Sequence, residues 1–172
     1  IYYEKPIRLF MRIVETSTKS SPRGFTSFHA VMKQWLTKKL FISNDLKNNL
    51  SLLDDRFNKQ NLFYSSHHTS HASSAFYPSP FKEAAILCID GVGEWSTTTA
   101  WIGKENKLNN IWEINFPHSI GLLYASFTFY CGFKINSGEY KLMGLAPYGR
   151  PLYYEKILSN LIDLKEDGSF KL

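Results

Sequence analysis

Three of the five histidines in this 172-residue chain fall within five positions, in the string His67-His68-Thr69-Ser70-His71. On a helix, residues four apart lie one turn apart on one face, so His67 and His71 can turn their imidazoles toward a single cation. His68 points elsewhere, as a neighbour of the metal or a substrate contact. The bland reading of the same string is a polar helix start with surface histidines. Asp90 is the natural third ligand. It closes a short apolar run, residues 84–90, and open α/β sheets place ligand chemistry at the carboxyl ends of strands. The pair Asp90-Gly91 also fits a plain hairpin turn. Two imidazoles and one carboxylate leave coordination positions open, which suits Fe(II), Mn(II) or Zn(II) beside substrate or phosphate oxygens.

Other residues could receive an anion. Gly91 and Gly93 allow close approach of backbone N–H groups, and so do Ser137, Gly138 and Gly144. Glycine turns are more commonly structural. Lys141 is a candidate phosphate partner or a solvated surface lysine. Glu139 and Lys141 flank Tyr140 and would share a face if the chain there were extended. His118, after Pro117 and before a capped helix, is either a polar residue at a pocket mouth or a satisfied structural histidine. The aromatic run Tyr124, Phe127, Phe129 and Tyr130 reads as core.

The elements that must hold these residues are legible from period and punctuation. Residues 7–16 carry Ile7, Phe10, Met11 and Val14 at helical spacing, and residues 17–24 read as a loop. Ser27 opens a second helix with Phe28, Val31, Met32, Trp35, Leu36 and Leu40 on its apolar positions. Leu46, Leu50 and Leu53 suggest a weak third helix, and residues 61–64 a short strand. Ser65 or Ser66 caps a helix over residues 67–77 that Pro78 and Pro80 end. Residues 84–90 and 96–102 form two strands joined by a tight turn at Gly91-Val92-Gly93, and residues 111–116 a third. Ser119 caps a helix whose apolar positions are Ile120, Leu123, Tyr124, Phe127 and Tyr130, closed by Gly132. Residues 138–149 are glycine-punctuated. A helix over 152–164 and a strand over 169–172 complete an α/β pattern.

Composition narrows the class. The chain is 44% hydrophobic, 20% charged and 16% aromatic, so it can build a core and is not disordered. The net charge of +5 is mild and scattered, with Lys38-Lys39 the longest basic cluster, so no polybasic nucleic-acid arm is present. No run of about 18 apolar residues suggests a membrane span. Cys88 and Cys131 sit in apolar strings and read as small buried hydrophobes in a reducing, cytoplasmic setting. The chain opens without Met or a signal peptide, so it is expected to be a piece of a longer protein.

Four longer strings carry a resemblance. They are His67-His68-Thr69-Ser70-His71-Ala72-Ser73-Ser74-Ala75-Phe76, Asp90-Gly91-Val92-Gly93-Glu94-Trp95, Pro117-His118-Ser119-Ile120-Gly121-Leu122-Leu123-Tyr124, and Asn136-Ser137-Gly138-Glu139-Tyr140-Lys141-Leu142-Met143-Gly144-Leu145-Ala146-Pro147-Tyr148-Gly149. In this order they closely resemble the O-carbamoyltransferases of the nodulation and antibiotic-tailoring kind. The opening strings Tyr3-Glu4-Lys5-Pro6 and Pro22-Arg23-Gly24-Phe25 resemble them too, so nearly the whole chain is covered.

The resemblance implies an α/β fragment of an actin-like, sugar-kinase-type ATPase fold, with a mixed sheet flanked by helices. Residues 1–172 would form part of the amino-terminal carbamoyl-transfer domain. The remainder of that domain and a carboxy-terminal adenylate-forming domain would lie elsewhere in the protein. Carbamoyl phosphate and ATP would give a carbamoyl-adenylate, whose carbamoyl group passes to a hydroxyl of a sugar or natural product. The resemblance carries an iron or manganese site onto His67, His71 and Asp90. It implies no nucleic-acid or membrane partner. The piece lacks the family's first strands with their own His-Asp motif and a later metal-site aspartate, and is expected to be inactive alone. His68 or His118 would take the acceptor's proton, since imidazole titrates near neutrality. Rival readings are a tRNA threonylcarbamoyl-transferase-like enzyme of the same fold and a non-catalytic metal- or nucleotide-binding domain.

Overall fold

The computed structural model describes residues 6–19, 21–22, 24–54 and 63–172. Its contacts divide the chain into two units, 1–70 and 71–172. The division falls inside one continuous helix, here called α4 (His67–Phe76), which is described with the second unit.

The first unit is helical. α1 spans Pro6–Lys19 and α2 spans Gly24–Gln34, which runs on into a π-helical turn at Trp35–Lys39. The aromatic spacing explains how they meet: the rings of Phe10 and Trp35 lie 5.1 Å apart. Helix α1 continues three residues past the predicted end, because Thr18 ties its hydroxyl back to the Glu15 carbonyl (2.9 Å). The weak third helix is α3 (Ile42–Ser51). The strand expected at residues 61–64 is corrected in part. Phe63 and Tyr64 have no regular structure, and Asn61 and Leu62 lie outside the described residues. Tyr64 instead hydrogen-bonds the hydroxyl of Ser43.

The second unit is built on a three-stranded antiparallel meander, β1 (Glu83–Gly93), β2 (Ser96–Lys104) and β3 (Lys107–Asn115), in the order β1-β2-β3. Two short connections make antiparallel pairing the natural outcome. Both put a glutamate in left-handed backbone, Glu94 at φ 65 and Glu105 at φ 53. The first turn is not where the sequence suggested. Gly91, Val92 and Gly93 extend β1 through an irregular register between Ile89 and Gly93, and the reversal occurs at Glu94-Trp95. A second ribbon pairs β4 (Asp163–Leu164) with β5 (Phe170–Lys171), also antiparallel. Every strand pair among the described residues is therefore antiparallel, and the parallel partners that a mixed sheet needs are not among them.

Strand alternation decides what each face meets. On β1 the side chain of Cys88 is buried while Leu87 and Ile89 are exposed. The buried face carries Cys88, Trp101, Ile86 and Leu108, and Ala72 of α4 is packed among them with no exposed surface. Phe76, at the end of α4, lies flat on Gly103 of β2: a β-carbon at 103 would sit 2.7 Å from the ring. Central strand β2 is the most enclosed, with Thr97, Thr98, Thr99 and Trp101 all buried. The indole N–H of Trp101 is satisfied by the Thr99 hydroxyl at 2.7 Å, so the ring enters the core without an orphaned donor.

Helix α5 (Ile120–Tyr130) follows, then α6 (Glu139–Leu145), a 3-10 turn at Ala146–Tyr148 and α7 (Tyr154–Leu161). The glycine-punctuated residues 138–149 are thus mostly helical. Because α6 is a helix, Glu139 and Lys141 are about 200° apart around its axis and do not share a face. The helix expected over 152–164 is shorter. The core reading of the α5 aromatics is corrected too. Phe129 is 72% and Tyr130 85% exposed, and Thr128 is the buried residue. Cys131 is likewise exposed rather than buried, since it sits at the end of α5, beside Gly132 at φ 82. Among the described residues no helix is long and apolar enough to cross a membrane.

Gly103→Ala forces a methyl into the Phe76 ring, and the expected cost is about 1–3 kcal/mol of stability. Urea unfolding of the variant against the wild type measures it. An unchanged midpoint would show that the helix–sheet contact is not tightly packed.

Candidate metal centre

The first turn of α4 is set by Ser66. Its hydroxyl accepts the Thr69 N–H at 3.4 Å and hydrogen-bonds the Thr69 hydroxyl, so one orphan donor of the helix start is satisfied. The helix then places His67 and His71 one turn apart. Strand β1 brings Asp90 to the same spot, on the face that Cys88 shares two residues earlier. One ligand atom from each of His67, His71 and Asp90 lies within 4.8 Å of the others. Nε2 of His71 is 3.7 Å from Oδ2 of Asp90. Ligand atoms around an octahedral ion with bonds of about 2.1 Å stand roughly 3.0–4.2 Å apart. The donor set therefore fits a first-row divalent cation after rotamer adjustments of about half an ångström. His71 is exposed and the other two are half-buried, which leaves an open side for further oxygens.

Asp90 is held by its surroundings as well as by its strand. Its Oδ1 accepts the N–H of Gly91 at 2.6 Å. Behind it, Ser119 caps α5 and ties the helix to β1. The hydroxyl accepts the Leu122 N–H at 3.0 Å and reaches the carbonyls of Gly91 (2.7 Å) and Asp90 (3.1 Å). Gly121 lets this turn approach closely: a β-carbon there would lie 2.6 Å from the Asp90 carbonyl oxygen and 2.8 Å from the Gly91 nitrogen. Thr97 completes the joint by donating to the carbonyls of Ile114 and His118. Ser119, Gly121 and Thr97 were not singled out as site residues from the sequence. The signal for Ser119 was its capping position, and for Gly121 a glycine inside a helix, where it costs about 1 kcal/mol without a packing reason.

The remaining candidates fall in distinct places. His68 is 3% exposed, on the helix beside His67. His118 is half-buried at the start of α5, where its Nδ1 accepts the N–H of Leu172 at 3.0 Å. Gly91 and Gly93 belong to the end of β1, and Gly91 already spends its N–H on Asp90. Ser137, Gly138 and Lys141 surround the start of α6. That loop is organised by Glu139, whose Oε1 accepts from Asn136 N–H (2.7 Å) and Oε2 from Gly138 N–H (3.1 Å). Gly138 is required there, because a β-carbon would meet the Lys134 carbonyl at 2.6 Å. Cys88, below Asp90, has its thiol pushed up by burial, and the Asp90 charge adds to that while a hydrogen bond with Thr99 opposes it.

A sequence profile for the carbamoyltransferase N-terminus matches residues 1–172. The chain belongs to the carbamoyltransferase amino-terminal family. Among the relatives of this chain, the Synechocystis protein sll1178 is 57% identical over 174 residues, which cover 100% of the chain and 28% of that protein. The nodulation protein NolNO of Sinorhizobium fredii is 36% identical over 107 residues, covering 62% of the chain and 16% of NolNO. The nodulation protein NolO of Bradyrhizobium diazoefficiens is 33% identical over 108 residues, covering 62% and 19%. The chain thus spans less than a third of the length of these relatives.

Two outcomes follow from the joint and the loop. Ser119→Ala removes the cap and leaves the Gly91 carbonyl short of a donor, with an expected loss of about 1–2 kcal/mol by thermal or urea unfolding. The Glu139 carboxyl lies below its ordinary pKa because the Asn136 N–H, first among its backbone donors, favours the charged form. A lowered folded pKa means that the stability it lends is complete above the ordinary glutamate pKa and is lost as pH falls through the folded value. The amide resonances of Asn136 and Gly138 should therefore shift with a midpoint below that of an ordinary glutamate, and this step should vanish in Glu139→Gln.

Proposed function

We propose that this chain is the metal-holding portion of an O-carbamoyltransferase, and that it passes a carbamoyl group from a carbamoyl-adenylate to a hydroxyl of a sugar or natural product. Family membership supports carbamoyl transfer. The observation that carries the site is the convergence of His67, His71 and Asp90 from a helix and a strand tip. In this reading His67 and His71 offer neutral imidazole nitrogens and Asp90 a carboxylate oxygen to iron or manganese. When bound, that cation supplies charge stabilisation for the adenylate phosphate and the developing oxyanion.

The chain's own groups set the rest. The acceptor oxygen forms a bond to the carbamoyl carbon, and the bond from that carbon to the phosphate oxygen breaks, releasing AMP and the O-carbamoyl product. The hydroxyl proton must leave as attack proceeds, and the reading gives it to His68, the imidazole of the string that is not a ligand. Ser119 and Gly121 hold the Asp90 backbone in place, which limits the reorganisation needed at the moment of reaction. The carbamoyl-adenylate would come from carbamoyl phosphate and ATP in another part of the full-length protein. An actin-like fold for the whole domain belongs to the same proposal.

The test uses full-length protein. His71→Ala should raise the manganese dissociation constant more than about tenfold and abolish transfer to a hydroxyl acceptor, whereas His68→Ala should keep the metal and lower kcat by about 10²–10⁴-fold. Metal titration and mass-spectrometric detection of a carbamoylated acceptor read the two effects. Wild-type metal affinity in His71→Ala would overturn the ligand assignment.

A further inference from the structure

The backbone N–H of Leu172 points at Nδ1 of His118 across 3.0 Å. Only a lone pair can receive an N–H, so Nδ1 carries no proton in this arrangement. The neutral ring then keeps its proton on Nε2. The rest of His118 is committed as well. Its own N–H donates to the Asn115 carbonyl at 3.1 Å, and its carbonyl accepts from the Thr97 hydroxyl. The next residue is Ser119, whose hydroxyl reaches the carbonyls of Asp90 and Gly91. On the other side, Leu172 directly follows β5, whose Phe170 is 6% exposed. One imidazole therefore joins the β4–β5 ribbon to the cap of α5 and, through Ser119, to the tip of β1.

A proton acceptor needs a ring nitrogen whose lone pair faces the hydroxyl. In His118 that lone pair is on Nδ1 and is occupied by Leu172. Nε2 presents an N–H, which donates and cannot accept. For Nε2 to act as base, the proton would have to move to Nδ1, where two N–H groups would then face each other and the bond to Leu172 would be lost.

We propose that His118 is a positioning residue and not the proton acceptor of the transfer: its Nδ1 straps the β4–β5 ribbon to the start of α5 and thereby steadies Asp90. The inference rests on the carbamoyl-transfer reading above for its catalytic half, while the strap stands on geometry alone. Amide substitutions separate the two ring nitrogens. The side-chain oxygen of Asn reaches the place of Nδ1, and that of Gln reaches the place of Nε2.

In full-length protein, His118→Asn should keep slow hydrogen exchange in the peptide covering residues 163–172, keep kcat within about threefold of wild type and leave manganese affinity unchanged. His118→Ala and His118→Gln should speed that exchange by about tenfold or more and weaken manganese binding. Two results overturn the proposal: a His118→Asn protein that keeps slow exchange but loses about 100-fold in kcat, or a His118→Ala protein whose exchange is unchanged. If wild-type protein transfers no carbamoyl group, the functional reading fails, and exchange together with manganese titration still decides the strap.

Discussion

The hydroxyl of Ser119 is the constraint on which the second unit turns. It accepts the Leu122 N–H and reaches two carbonyls of the neighbouring strand, at Asp90 and Gly91. The side chain has no exposed surface, so water cannot substitute for any of these partners. Beside it, Gly121 removes the β-carbon that would hold the helix off the strand. A helix start and a strand end are thereby fixed to one another through backbone atoms, and Asp90 inherits that fixity. A carboxylate on a free hairpin tip would sample many positions. This one is held from behind by a helix and from its own side by the Gly91 N–H.

The opposite partner is held by packing. Helix α4 contributes Ala72 and Phe76 to the sheet, and these two contacts set its height and its rotation over β1 and β2. Small residues allow the close approach, and the aromatic ring fills the space over Gly103. Burying one such ring is worth about 2–3 kcal/mol, on the scale of the cost of fixing a few residues of backbone. Chemistry and packing thus lie on adjacent turns of one helix: His67 and His71 toward Asp90, Ala72 and Phe76 toward the core.

Much of this was legible because the signals were local. Ser65 or Ser66, and Ser119, read as caps from their positions, Gly132 as a helix stop, and the histidine spacing as one helical face. The glycines misled for a physical reason. Gly91 and Gly93 look like a turn, but an irregular register absorbs them into β1, and the reversal falls on Glu94, a residue that rarely takes positive φ. The glycine punctuation of residues 138–149 gave no sign of a helix, which starts there because the Glu139 carboxylate accepts the backbone N–H groups of Asn136 and Gly138. Cys131 and Tyr130 have apolar neighbours in sequence, yet lie exposed at a helix end. The role of Gly121 depends on which strand it meets, and no local pattern contains that information.

Helix α4 reads His-His-Thr-Ser-His-Ala-Ser-Ser-Ala-Phe, ten residues with none of the long straight-chain helix formers. A stretch this short and this poor in propensity has little helicity by itself in water. Its two outer imidazoles come into register only once Ala72 and Phe76 have a sheet to rest on. During synthesis that sheet is incomplete until the ribosome has passed β3, so the histidine string emerges early and matures late. In a newly made chain the side chains of His67, His71 and Asp90 are therefore unaligned, and their coming together reports completed tertiary structure.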